Sequence, residues 1–564
     1  MRALSFWIGV CLSLSFAQPA LWAAETARGV VFEDANGDGL FQDDEAGIAG
    51  IAVSNGLDVV ETAADGRYEI AIQPGETLFI SKPSGWAVPL SADLLPRFFH
   101  HHVPKGSPDV PRRHYRGLDP SGPMPSSIDF PLRRTSEPEQ FRSIWFADTQ
   151  PQTSAEVEFI RDDAVAELVG ADVAFGITLG DITYDDLSLF PRLTRNISQI
   201  GAPWYHVAGN HDVNYLAAND AESLETFRRL FGPPYYSFDY GKVHFVVLDT
   251  INYLGTSLGS DDPDPMGRGS YEGGLGARQL EWIANDLHRV PGDRLVVLAM
   301  HIPLHSERDP DEPSINVFDR DRLFEVLAER DQVLALAGHM HDSEHYYFDT
   351  DDGFTGAKPL HLHTLSAVCG SWWSGPLDER GVPISYQRDG SPKGYYLMEV
   401  DGNRAVVRFK ATGKPDSHQM RITLDTGYPH HRVETRRDFR HGELLGNRIE
   451  LAQVYSTQVL VNLFDGGPMS SVEFSIGDRP PEPMERVVRT DPFVIELFQR
   501  ESDTIKPWVE AVPTTHMWTA QLPEDLRPGV QTITVRAIDD YGQEHTAHKI
   551  FEVYSLTDIS PVDD

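Results

Sequence analysis

Between residues 141 and 341, six short apolar runs (143–147, 173–179, 204–208, 244–248, 295–300 and 333–337) alternate with helical stretches at 154–170, 221–231, 277–289 and 319–330. This alternation constrains the fold more than any other feature of the chain. Short apolar runs of this length read as strands, and strands alternating with helices predict an α/β or mixed layered domain. The first helix is expected to open on Thr153 with Glu156 three residues later, a capping-box spacing. Nearly every run also ends in a small polar cluster, where α/β domains place their sites.

Those clusters are Asp148-x-Gln150, Gly180-Asp181, Gly209-Asn210-His211-Asp212, His301 and Gly338-His339-x-His341. Singly, each is a turn or a core histidine. Together, and in this order, they suit a pair of divalent cations, which sit roughly 3.5–4 Å apart and need a bridging carboxylate plus oxygen or imidazole ligands from different strands. Asp181 is the natural bridge, because one carboxylate gives an oxygen to each ion. Asp148, Gln150 and His341 would complete the shell of the first ion; Asn210, His301 and His339 that of the second. A water or hydroxide held between the ions has a lowered pKa and becomes the nucleophile at neutral pH. The ions also neutralise charge on the phosphoryl oxygens. His211, when protonated, could donate to the phosphoryl group or the leaving oxygen, with Asp212 orienting it or raising its pKa. The alternative for His211 is a purely structural role.

Over 143–341 these motifs resemble the calcineurin-like metallophosphoesterase superfamily. The resemblance implies a two-sheet core flanked by helices, a four-layer αββα arrangement, with the metal ligands at the positions named. It implies hydrolysis of phosphodiester, pyrophosphate or phosphomonoester bonds in a small phosphorylated substrate: a nucleotide, a lipid headgroup or a sugar phosphate. One departure matters. Most members carry Asp-x-His at the first motif, and relatives with glutamine there resemble the manganese-dependent ADP-ribose pyrophosphatase-like branch. A glutamine oxygen is neutral and hard, so the first ion is expected to be held weakly, with manganese preferred and magnesium, iron or zinc possible. Gln150 could also bind through a water.

The flanks are similar to a three-part bacterial form of the family, with a β domain on each side of the core. Expected boundaries are 25–82 for an N-terminal β-sandwich, 83–140 for a proline-rich strap, 141–400 for the core and 401–564 for a C-terminal β-sandwich without helices. Within the first domain, Asp34, Asn36, Asp38, Leu40, Gln42 and Glu45 fall at positions 1, 3, 5, 7, 9 and 12 of an EF-hand-type loop, with Gly39 at 6, a spacing that wraps calcium. Without a preceding helix it is the loop alone, and a solvated acidic turn is the alternative. The segment Cys369-Gly-Ser-Trp372-Trp373-Ser-Gly375 looks characteristic of the three-part subgroup. Its paired tryptophans could stack a substrate, or could seal the interface with the last domain. Tyr184, Asp185 and His305 are further pocket candidates. His345 could line the pocket or lie on a strand leaving it.

Acidic residues outnumber basic ones 85 to 48, a formal charge of −37, which repels nucleic acid backbones and anionic membranes. Arg2, the apolar run 3–16 and the small residues Ala17, Ala20, Ala23 and Ala24 read as a secretory signal peptide over 1–24, hence a secreted or periplasmic protein. Cleavage removes Cys11 and leaves Cys369, so no intramolecular disulfide is expected. No other segment is long and apolar enough for a transmembrane helix. A competing reading is a calcium-stabilised extracellular binding module whose phosphoesterase core has degenerated.

Overall fold

The computed structural model describes residues 25–108, 115–256, 268–426 and 448–555, so the expected signal peptide lies outside the described residues. At its centre are two mixed sheets. The first has five strands in the order Trp204–Val207, Phe175–Leu179, Gln140–Phe146, Gly394–Asp401, Arg404–Ala411, the first three mutually parallel. The second has six, in the order Tyr236–Tyr240, Val243–Val247, Leu295–Ala299, Val333–Ala337, Leu360–Thr364, Glu344–Phe348, parallel through its middle four. The strands Phe175–Leu179, Val243–Val247 and Leu295–Ala299 are buried at every position. Continuous burial is what parallel strands covered on both faces require. Phe175 meets Phe245 at 5.1 Å and Phe238 at 5.4 Å, and Trp145 meets Phe245 at 6.3 Å, so aromatic rings from the two sheets interlock.

The helix Gly276–Leu287 buries Leu280, Trp282, Ile283 and Leu287, an i, i+2, i+3, i+7 stripe. Ser154–Ile160 starts where expected: the Thr153 hydroxyl accepts from the Glu156 amide at 3.2 Å. The returning contact differs, because Glu156 Oε2 takes the amide of Gln152 at 2.5 Å.

Three expectations about the flanks change. The stretch 83–140 is no mere strap: Phe99–His101 pairs with Thr77–Ile80, Phe130–Arg134 runs parallel to Glu25–Glu33, and Trp86–Ala87 pairs with Phe130–Arg134. Its strands are too short, and too interrupted by proline, to show a period in sequence. Phe98 also packs on Tyr236 at 4.9 Å, tying this stretch to the core. The expected boundary at 400 falls inside the hairpin Gly394–Asp401/Arg404–Ala411, whose first strand pairs antiparallel with Gln140–Phe146. The core sheet therefore continues to 411. Beyond it, four- and five-stranded sheets enclose Leu424, Val461, Phe474, Trp518, Val535 and Phe551. A helix at Pro492–Arg500 interrupts the all-β expectation; the Asp491 side chain caps it by accepting from the Phe493 amide, with proline at its start. Cys369 is buried and unpaired. Among the described residues, no helix is long and apolar enough to cross a membrane.

Candidate metal centre

Each motif follows the C-terminal end of a parallel strand. Asp148 follows Gln140–Phe146, Asp181 follows Phe175–Leu179, Asn210 follows Trp204–Val207, His301 follows Leu295–Ala299, and His339 and His341 follow Val333–Ala337. To turn inward there, the backbone adopts left-handed conformations: φ is +50° at Asp148, +34° at Gln150, +49° at Asp181, +77° at His339 and +54° at His341. A non-glycine residue held there costs on the order of 1–3 kcal/mol, and such strain clusters at functional sites. Close approach also fixes the glycines. A Cβ on Gly180 would stand 2.5 Å from His301 Nδ1, and one on Gly209 2.1 Å from the Asp181 amide nitrogen.

His301 Nε2 lies 3.2 Å from Asp181 Oδ1, 3.2 Å from His339 Nδ1 and 3.0 Å from Asn210 Oδ1. The far nitrogens are committed elsewhere: His301 Nδ1 to the Leu179 carbonyl at 2.8 Å, and His339 Nε2 to the Ser314 carbonyl at 3.1 Å. Both therefore donate outward and present bare lone pairs to one another and to two oxygens. Such a cluster is repulsive until a cation enters it, and one ligand atom each from Asp181, His301 and His339 lies within 4.8 Å of the other two. A proton can stand in part for that cation. Burial alone would lower His301, yet the Asp181 and Asp148 carboxylates push it up to about 9.

Asp148 and His341 repeat the pattern. Asp148 Oδ2 accepts the His339 amide at 2.9 Å, whereas its Oδ1 is buried without a hydrogen-bond partner, 3.6 Å from His341 Nε2. His341 Nδ1 is held by the Gly370 carbonyl at 2.6 Å, which again turns a lone pair inward. Burial pushes the Asp148 carboxyl up to about 7 and His341 down to about 3. Gln150 is buried beside Asp181, with its amide nitrogen on Asp181 Oδ2 and its oxygen 3.8 Å from Cys369 Sγ. Acting as an oxygen ligand requires that amide turned over, an exchange of two groups of nearly the same shape.

His211 stands at the rim, its side chain 21% exposed and stacked on Tyr184 at 4.1 Å. The expected orienting role of Asp212 is corrected. Fully buried, Asp212 accepts the amides of Ile182 (3.1 Å), Thr183 (3.1 Å) and Gly209 (3.0 Å), clamping two ligand loops together. The residue on His211 is Asp185, whose Oδ1 is 2.7 Å from Nδ1, and Arg268 braces the other oxygen at 2.9 Å. Burial opposes charge on His211, but Asp181 and Asp185 raise its pKa. Arg268 has no signal in the sequence that marks it for this place.

Three family models match along the chain: calcineurin-like phosphoesterase at 142–343, its N-terminal domain at 35–112 and its C-terminal domain at 363–545. The chain belongs to the calcineurin-like phosphoesterase family. Its relatives include the probable glycerophosphodiester phosphodiesterase GpdQ of Arcobacter nitrofigilis, 25% identical over 192 residues, or 34% of this chain and 64% of that protein. Tartrate-resistant acid phosphatase type 5 of Oryctolagus cuniculus is 25% identical over 227 residues, 38% of this chain and 65% of that protein. The chain thus spans just under two thirds of either relative. Among solved structures, PhoD superposes with a TM-score of 0.35 at 14% identity, covering 69% of this chain and 88% of that one. Purple acid phosphatase PPD1 of yellow lupin (Lupinus luteus) gives 0.34 at 13%, covering 69% and 67%.

In this calcineurin-like phosphoesterase the two tryptophans are not an open platform. Trp373 is buried, donates Nε1 to the Thr149 carbonyl at 2.8 Å and packs on Phe159 at 6.0 Å. Trp372 stacks on the back of His341 at 4.1 Å and rests on the apolar cluster of Val494, Leu497, Phe498 and Val509. Trp373 thus props a ligand loop from within the core, which corrects its substrate-stacking expectation, and Trp372 lies between His341 and the C-terminal region, as the sealing alternative expects. His305 is also outside the metal cluster: it packs on Tyr346 at 4.4 Å and lines a separate cavity of about 580 Å³ with Arg308, Asp342 and Glu344. Burial holds His305 down to about 4. In the acidic N-terminal loop, Asp34, Asn36 and Asp38 accept the amides of Gly37 (2.7 Å), Asp38 (2.8 Å) and Leu40 (2.9 Å). Glu45 reaches back to the amides of Ala35 and Gln42, each at 3.1 Å.

Proposed function

We propose that this phosphoesterase hydrolyses phosphate esters of small molecules with the help of two divalent cations, manganese preferred. One observation carries the reading: inward lone pairs of His301, His339 and His341 converge with Asp148 and Asp181, leaving the buried Asp148 Oδ1 without a partner. Asp181, Asn210, His301 and His339 would hold one ion; Asp148, Gln150, His341 and the shared Asp181 the other. When bound, such ions neutralise charge on phosphoryl oxygens and acidify water. The chain's own contribution is positioning. With Nδ1 committed to Asp185, His211 keeps Nε2 for the substrate and, protonated, donates to the phosphoryl or leaving oxygen. Tyr184 holds the ring flat from one side. A diester or pyrophosphate bond is favoured over a monoester by the GpdQ relative and by glutamine at the first motif. Secretion follows from the N-terminal pattern, and calcium in the Asp34–Glu45 loop from its spacing.

The test uses chelated protein reloaded singly with manganese, magnesium, iron, zinc or cobalt. It is assayed on a nitrophenyl phosphomonoester, a bis-nitrophenyl phosphodiester and a nucleotide pyrophosphate. Expected is turnover dependent on added metal, fastest with manganese and absent in Asp181→Asn. A wild-type protein no faster than Asp181→Asn on all three substrates refutes the proposal.

A further inference from the structure

A second cluster of metal-ligating side chains shares no residue with the first. His345 and His363 lie directly opposite one another on the paired strands Glu344–Phe348 and Leu360–Thr364, at the edge of the six-stranded sheet. Facing residues on neighbouring antiparallel strands put their side chains on the same side. Their rings stack 3.9 Å apart at 20°. Both aim Nε2 at a single oxygen of Asp465, which follows the strand Gln458–Leu463 of the C-terminal region. The separations from Asp465 Oδ1 are 2.9 Å for His363 and 3.8 Å for His345. One ligand atom from each of the three lies within 4.8 Å of the other two, and the residues are 1%, 0% and 7% exposed.

The outer nitrogens are held as they are in metal-binding histidines, where the far ring nitrogen is fixed by a second partner. His345 Nδ1 is 2.9 Å from His361 Nε2, and His363 Nδ1 is 2.9 Å from the Tyr541 hydroxyl. The inner side is incomplete. His345 Nε2 is buried with no hydrogen-bond partner. A buried polar atom left so destabilises the fold. A proton on His363 Nε2 satisfies the 2.9 Å contact, whereas His345 Nε2, 3.8 Å from the same oxygen, is too distant to hydrogen-bond whether or not it carries a proton. One divalent ion between the three satisfies both nitrogens and the carboxylate at once. Ser343 Oγ and the Tyr396 hydroxyl, 2.8 and 3.1 Å from Asp465 Oδ1, bring further oxygens to the same spot.

We propose that His345, His363 and Asp465 form a third metal site, distinct from the dinuclear centre, which takes a zinc-class ion and pins the C-terminal β region to the phosphoesterase sheet. Two imidazoles and an oxygen in a small closed cavity are a zinc-type set, and the burial makes the site structural, with no open position for substrate. Its ligands come from both sides of the interface, so the ion ties together segments more than 100 residues apart in sequence.

The decisive measurement is zinc-edge anomalous diffraction from crystals of the full chain equilibrated with zinc. A peak among His345 Nε2, His363 Nε2 and Asp465 is expected; a map with zinc at the Asp181–His301–His339 cluster only, or with none at either place, overturns the proposal. In solution, His363→Gln should hold about one zinc ion fewer per chain than wild type by elemental analysis. It should keep its manganese-dependent hydrolysis, and chelation should lower its melting temperature by less than it lowers that of wild type. Equal zinc content in the two proteins also overturns the proposal. If His363→Gln does not fold, the anomalous map of the unaltered chain decides alone.

Discussion

Asp212→Asn separates a clamp from a catalyst. In the structure Asp212 Oδ1 accepts one amide, Thr183, and Oδ2 accepts two, Ile182 and Gly209, in a fully buried place. Asparagine keeps the shape and one acceptor oxygen. Its best orientation leaves the oxygen on the Ile182 and Gly209 amides and turns its NH₂ toward the Thr183 amide. An unsatisfied buried amide costs about 1–3 kcal/mol, and each remaining bond, no longer charge-assisted, loses about 1 kcal/mol. The total is about 3–5 kcal/mol. At roughly 2–4 °C per kcal/mol for a unit of 150–250 residues, the melting temperature should fall by about 6–20 °C. Because the clamp joins the loop of Asp181 to that of Asn210, metal affinity should fall as well, while the pH profile of kcat in saturating metal keeps its shape. Differential scanning calorimetry, metal titration and a pH–rate series read the three quantities. An unchanged melting temperature together with a displaced pH profile would refute this reasoning and return Asp212 to a chemical role.

His244 supplies a pH prediction away from the site: burial alone would lower it, but Asp286 at 2.9 Å and Asp239 at 2.7 Å push it up to about 9 from an ordinary 6.5. Its contribution, about 3 kcal/mol, is full below pH 6.5 and is lost as pH rises through about 9. His244→Gln should therefore flatten the fall in urea-unfolding stability between those limits; an identical slope contradicts the assignment. Trp373→Ala should destabilise by about 3–5 kcal/mol through the cavity it leaves, with weaker metal binding and little change in KM measured at saturating metal. A large KM rise alone would restore the substrate-stacking role. Lys393 and Arg380 both pair with the buried Asp163. Lys393→Met should cost about 3 kcal/mol by leaving that carboxylate under-paired, and adding Asp163→Leu should recover most of it; additive losses in the double variant would rule out the coupling.

The residues of the candidate site were legible because the proposed metal ligation demands particular atom types at strand ends. Their order from Asp148 to His341 follows from those demands and from the alternation of runs between 141 and 341. The flanks were less legible. Strands as short as Trp86–Ala87 and Phe99–His101 carry too few residues to show a period, and only their partners in the sheet define them. The helix Pro492–Arg500 did carry a local sign, an aspartate before a proline, outweighed by the β character around it.

What the sequence determined by itself was chemistry: which groups can bind cations, which runs must be buried, and their order along the chain. Which group meets which was decided by tertiary structure. Asp212 adjoins His211 in sequence, yet its carboxylate serves the Ile182, Thr183 and Gly209 amides, while Asp185 reaches the ring from another loop. Trp372 braces the His341 loop because the C-terminal region packs on it, and His345 and His363 meet Asp465 only because two sheets are docked. The physical reason is common to all three. Chain spacing fixes torsions over a few residues, but hydrogen bonds and burial are settled by whichever surfaces pack together, and those lie far apart along the backbone.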